Sequence, residues 1–159
     1  MTTATINSQI GWADMTAQDS LKESSPSVHA HLANMQSVIQ RMASNSSSSK
    51  AWCITLVSAL LVIVADKGKS NYAWLAVIPT VLFLVVDAYY LALEKGLRDA
   101  YNAFIDKPHR EDLQPSDLYA VAPSGPLTKQ FVRSLISFAV WPFYLTLLVM
   151  IYLAKVLVL

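Results

Sequence analysis

The side chain with the most chemistry to offer is Asp87, a lone carboxylate inside the apolar run AWLAVIPTVLFLVVDAYYLALE. An ionised group in hydrocarbon is costly, so it faces protein or water rather than lipid. Two roles fit. One is a hydrogen bond to a neighbouring helix, through a hydroxyl of the preceding apolar run or through Tyr89 or Tyr90. The other is a ring of Asp87 carboxylates from several subunits that draws cations into a pore. Asp87 stands about two turns inside the charged pair Glu94 and Lys95, nearer the interface than the midplane.

A second set is made of hydroxyls. Ser44, Ser48, Thr55 and Ser58 fall close to one face of a helix, with Ala51 and Ala59 beside them. Small side chains let membrane helices approach closely, and hydroxyls in a pore wall hydrate a passing ion. Packing is the preferred reading, and in a symmetric oligomer both hold at different depths.

A third set is cationic. Lys95, Arg98, Lys107, Arg110, Lys129 and Arg133 share one stretch with Asp99, Asp106, Glu111, Asp112 and Asp117. Pairing with these acids is their plain role. They are also the candidates for reading an anionic ligand, with Lys95, Arg98, Arg110, Lys129 and Arg133 preferred. The remaining reactive types form no site. His29 and His31 are two apart and point to different helix faces, so no metal site is expected. His109 and Asp112 lack a nucleophile with a supporting base. Without a ligand cluster, phosphate loop or nucleophile–base pair, neither an enzyme nor a cofactor is expected.

These residues are positioned by two apolar runs, Ala51 to Ala65 and Ala73 to Leu93, joined by the turn DKGKSNY. About 20 helical residues cross a hydrocarbon core. The second run meets that length alone, and the first does so by enlisting part of Ser46–Ser49. The pair reads as a transmembrane hairpin over 51–94. Hydroxyl-to-carbonyl bonds one turn back permit a helix through the serines, with a bend allowed. Pro79 kinks the second span or marks a boundary.

Composition agrees. Of 159 residues, 54% are hydrophobic and 14% charged, with mean hydropathy +0.40, too apolar for an ordinary soluble domain. Net charge is +1, so any nucleic-acid surface is local. The single cysteine, Cys53, forms no internal disulfide. No signal peptide precedes the first run, and the spans direct insertion.

Residues 1–26 read as a flexible polar tail, with docking through Trp12 as the alternative. Residues 27–50 form an amphipathic helix and serine-rich entry, with Val28, Leu32, Met35, Ile39 and Met42 as its stripe. The stripe lies on the membrane surface or packs against identical helices, and packing is preferred because Arg41 is the only cation on the other faces. Residues 95–130 form a helical continuation closed by Pro108 and a proline-rich loop, where Ser116 or Asp117 caps a short turn. From Leu127 one helix becomes a third span, covering 131–159, with Lys155 snorkelling at its far end. Counting lysines and arginines places the amino terminus and the long loop in the cytoplasm.

The residues Gln36-Ser37-Val38-Ile39-Gln40-Arg41-Met42-Ala43, then Asn45-Ser46, Lys50 and Trp52, and later Asp87-Ala88-Tyr89-Tyr90-Leu91 with Glu94, carry a resemblance. The chain resembles the small bacterial membrane effectors encoded beside nucleotidyltransferase-like enzymes in anti-phage operons, of the Hailong type. The likeness covers roughly residues 28 to 98, with Phe131 to Tyr144 adding weaker support, and the serine run departs from it. It implies an oligomer that permeabilises the inner membrane. It also implies control by a nucleotide-derived signal, in that system a single-stranded DNA oligomer made by the partner nucleotidyltransferase that keeps the effector shut.

The expectation is therefore an all-α membrane protein with three transmembrane helices and an N-terminal cytosolic amphipathic helix, homo-oligomeric in the bilayer. Its expected function is a gated pore in the inner membrane. The alternative is a non-conducting structural or adaptor membrane protein that binds a partner.

Overall fold

The computed structural model describes residues 25–109 and 114–157. Helix is the only regular secondary structure among them. The first helix, α1, runs unbroken over Pro26–Lys67, about 63 Å at 1.5 Å per residue. Ser25 enters it in extended conformation and Pro26 occupies its first turn, where a missing N–H costs nothing. Gly68 ends it in the left-handed region (φ 60°), its N–H turned back to the Ala65 carbonyl. The serine tract does not interrupt α1. Ser49 Oγ donates to the Asn45 carbonyl at 2.9 Å, and Thr55 Oγ1 to Ala51 at 3.0 Å. These hydroxyls are thus satisfied within the helix.

A 3-10 turn over Ser70–Ala76 reverses the chain into α2, Val77–His109. Pro79 lies in the first turn of α2, where it marks a boundary without breaking the helix. The two helices pack along their length. Ala73, Ala76, Ala88 and Ala92 are fully buried, as close approach of helix backbones requires.

Beyond the apolar runs, Val28, Leu32 and Met35 pack on Phe104, Ala100 and Tyr101. Val28, Leu32 and Met35 of the amphipathic stripe therefore pack on α2 of the same chain. The cause is length: α2 continues sixteen residues past Leu93, so it covers the polar half of α1 as well as the apolar half.

The third apolar segment is divided. A nine-residue helix, α3, covers Leu127–Leu135, and α4 covers Trp141–Leu157. Between them an elbow turns through Ser137 N–H to Ser134 O and Val140 N–H to Ser137 O, both 3.0 Å. The expected single helix from Leu127 is thus two, and α4 alone has 17 residues. Pro142 takes the second position of α4, an N-terminal position its ring tolerates. Tyr144, Leu147 and Ile151 of α4 pack with Cys53, Val57 and Val64 of α1. Tyr144 donates its hydroxyl hydrogen to the Phe83 carbonyl at 3.0 Å. At the other end Lys155 Nζ lies 5.1 Å from the Trp74 ring centroid.

The α2–α3 junction depends on Gly96. The Ser124 N–H bonds to the Gly96 carbonyl at 2.9 Å, and Gln130 Nε2 holds the Ser124 carbonyl at 2.7 Å. A Cβ at residue 96 would stand 2.6 Å from Gln130 Oε1 and 2.7 Å from Pro123 Cβ. Glycine is disfavoured inside a helix, and here the close approach of the loop requires it.

The segments Pro26–Lys67 and Asn71–Lys107 are each long and apolar enough to cross a membrane. Only 22% and 28% of their most apolar windows are buried inside the chain. A soluble core helix of that composition would be mostly covered. Instead Trp52, Val62, Ile63, Ile78 and Leu82 all point outward. This surface is compatible with a membrane location.

Candidate functional site

Asp87 lies on the α2 face turned toward α1 and is completely buried. Lys50 Nζ approaches its two carboxylate oxygens at 2.9 and 2.8 Å. The Ser46 hydroxyl donates to Oδ1 of the same carboxylate, and Lys50 Nζ reaches Ser46 Oγ at 3.2 Å. Ser46 and Lys50 are four apart on α1, so one helix face delivers both partners to one acid. Lys50 keeps a quarter of its side chain exposed, while Asp87 keeps none. Moving a carboxylate and an ammonium out of water costs several kcal/mol each, and only tight geometry with added hydrogen bonds offsets it. Oδ1 takes hydrogen bonds from both Lys50 and Ser46, whereas Oδ2 has the nearby ammonium charge but no hydrogen bond of its own, so the condition is met only in part.

Of the two roles open to Asp87, a bond to a hydroxyl of the first helix is the one present in this chain. Tyr89 and Tyr90 take no part. Their rings lie 6.0 Å apart and line a groove against α3. The ion pair is not part of the expectation from sequence, where Lys50 appears only among the residues that carry the resemblance. A signal for it exists. Ser46, Ser49, Cys53, Val57 and Val64 recur at helical spacing and are all buried, and Lys50 lies on that stripe.

The hydroxyl face chosen from sequence is the opposite one. Ser44, Ser48, Thr55 and Ser58 are exposed on the outer side of α1. Within one chain the structure parts them from Asp87, so the five residues do not line a single path in the subunit. With Ala51 and Ala59, also exposed, they leave a small, polar strip among large apolar side chains.

The cationic candidates separate into two groups. Arg98 is exposed, bonds Glu94 one turn back at 2.7 Å, and lines a groove of about 520 Å³ with Gln36, Gln40, Tyr101 and Asn102. Gln36 Nε2 donates to the Tyr101 hydroxyl at 2.8 Å across it. Lys95 is half-buried next to Glu94. Lys129 and Arg133 are exposed one turn apart on α3. Arg110 lies outside the described residues, as do Asp112 and Trp12. Lys107 is committed elsewhere, to Asp117 at 2.8 Å. That bond, with the Gln114 N–H at 3.2 Å, holds the Asp117 carboxyl below the usual carboxylate range. Asp117 does stabilise a short turn, the 3-10 segment Pro115–Tyr119, with Gln114 as its entering residue.

No known protein family, characterised protein or solved structure matches this chain.

His31 is buried with its ring centroid 4.7 Å from that of Phe104, whereas His29 is exposed. Among the described residues no three His, Cys, Asp or Glu side chains gather as a metal site would require.

Proposed function

We propose that the chain is a multi-pass membrane effector of bacterial anti-phage defence that assembles as a homo-oligomer and forms a gated pore. In this reading α4 with its elbow completes a third span, the amino terminus is cytoplasmic, and the membrane is the bacterial inner membrane. The protein is not an enzyme. A nucleotide-derived signal, such as a short single-stranded DNA oligomer, controls it from the cytosolic side. The resemblance over residues 28 to 98 suggests this class.

The observation that carries the reading is the outward strip of Ser44, Ser48, Thr55 and Ser58 on an otherwise lipid-like helix. Lipid gives such a strip no advantage, whereas neighbouring subunits gain close packing or a wet wall from it. Asp87 then acts as a lock. Its charge is spent on Lys50 inside the hairpin, and a conducting state needs that pair opened or rearranged. Arg98 lines the groove beside Gln36 and Tyr101 and is, with Lys95, the candidate for an anionic signal, whose binding should weaken steeply with salt.

The adaptor reading draws on the same ion pair, since a neutralised Asp87 supplies no open carboxylate to a permeation path. Recording current in a planar bilayer, with and without short single-stranded DNA, separates the two. Discrete current suppressed by the DNA supports the guarded pore. A silent bilayer from a protein shown to be oligomeric favours the adaptor.

A further inference from the structure

Three helices contribute to one buried polar cluster. Asp87 of α2 and Tyr144 of α4 are 0% and 1% exposed, and Ser46 and Lys50 of α1 complete it. Donors are in short supply there. Oδ1 of Asp87 receives the Ser46 hydroxyl and a Lys50 N–H, while Oδ2 has the ammonium at 2.8 Å but receives no hydrogen bond. A buried acceptor without a donor is costly, and more so when it is charged.

The Tyr144 hydroxyl stands beside this carboxylate. Its hydrogen goes to the Phe83 carbonyl at 3.0 Å, and Phe83 lies one helical turn before Asp87. Side chains on a helix lean toward its amino end, so the Asp87 carboxylate leans back over the turn that carries that carbonyl. The hydroxyl and the carboxylate are close enough to interact directly. Inside α2 the Phe83 carbonyl also accepts the Asp87 N–H, so it keeps a partner without Tyr144. A phenol has one hydrogen to give. Tyr144 gives it to the acceptor that needs it less.

We propose that Tyr144 is the reserve donor for Asp87: when Lys50 or Ser46 withdraws, its hydroxyl turns from the Phe83 carbonyl to the carboxylate. Only a hydrogen bond changes acceptor, and no proton is transferred. Tyr144 is thus a positioning residue that acts through Asp87, and it ties α4 to the state of the ion pair. The exchange belongs to the three packed helices and needs no conduction. Its consequence for gating rests on the reading of the ion pair as a lock. In that reading, opening the pair does not strand the carboxylate, and α4 registers the opening.

The test is thermal unfolding in detergent of Tyr144→Phe, which keeps the ring and removes the hydroxyl, in three backgrounds. In the otherwise unchanged chain the fall in midpoint reports the bond to the Phe83 carbonyl. With Lys50→Leu the same substitution should lower the midpoint about twice as far, because a hydrogen bond to a charged acceptor is the stronger kind. With Lys50→Leu/Asp87→Leu the excess should vanish. A purely structural hydroxyl would cost the same in all three backgrounds, and that result overturns the proposal. Should Lys50→Leu fail to fold, Ser46→Ala takes its place, and an unchanged Tyr144→Phe loss there overturns the proposal equally. The measurement involves no current, so its failure and that of the pore reading are distinct results.

Discussion

Lys50 and Asp87 stand 37 positions apart in sequence, yet the Lys50 ammonium lies within 3 Å of both oxygens of the Asp87 carboxylate. They join the facing helices of the hairpin at the point where the apolar run of α1 begins. Because Asp87 is wholly enclosed, the pair is a poor candidate for simple surface charge and a good one for a structural joint.

Removing one partner leaves the other charge buried alone. Asp87→Leu or Lys50→Leu alone should therefore lower stability by about 3–5 kcal/mol, read as a fall in unfolding midpoint in detergent. The double variant Asp87→Leu/Lys50→Leu should recover most of the loss, because both desolvation costs vanish together. Additive losses in the double variant would show that the two side chains do not interact.

Ser46 and Ser48 differ by two positions and should differ sharply in effect. Ser46→Ala removes a hydrogen bond to a buried carboxylate and should cost about 2 kcal/mol. Ser48→Ala, on the exposed face, should leave the stability of a single subunit within about 0.5 kcal/mol. In the proposed pore its effect should appear instead in cross-linking between subunits or in bilayer current.

Gly96→Ala tests the junction of α2 with α3. Helix propensity alone favours alanine by about 1 kcal/mol. The new Cβ meets Pro123 and Gln130, and overpacking of this kind costs about 1–3 kcal/mol. A net destabilisation, with faster proteolysis in the 121–126 loop, is the expected sign.

The Lys107–Asp117 link should respond to acid. Its carboxyl is held below the usual range in the folded chain, so the link contributes stability that is fully present above the ordinary aspartate pKa of about 3.9. That contribution is lost as pH falls through the lower folded value. Hydrogen exchange in residues 114–119 should accelerate over that acid window. Asp117→Asn should exchange quickly at all pH values and lose the acid step.

Much of the helical architecture is legible in sequence, since apolar run length and the polar turn at Gly68 define the hairpin without reference to packing. The course of α1 through the serines follows from hydroxyls bonding one turn back. What sequence leaves open is direction around each helix. Serines occupy both faces of α1, and only the position of α2 decides that Ser46 and Ser49 are inside while Ser44 and Ser48 are outside. The elbow at 136–140 is hidden for a similar reason. Its residues, Ile136, Ser137, Phe138, Ala139 and Val140, are as apolar as a span, and hydropathy does not register a bend. Gly96 reads as a blemish in a helix until the returning loop is seen lying against it.

The length of α1 gives the ion pair a mechanical meaning. A continuous rod of 42 residues is pinned at Lys50, with about 36 Å of helix on the amino-terminal side and about 26 Å on the other. Val28 and Met35 hold the outer arm on α2 as firmly as Cys53 and Val57 hold the inner arm in the core, so a displacement at one end of the rod is carried to the other without melting a single helical turn. Whatever grips the groove near Gln36 and Arg98 therefore takes hold of both helices of the hairpin at once, at the end remote from its apolar half.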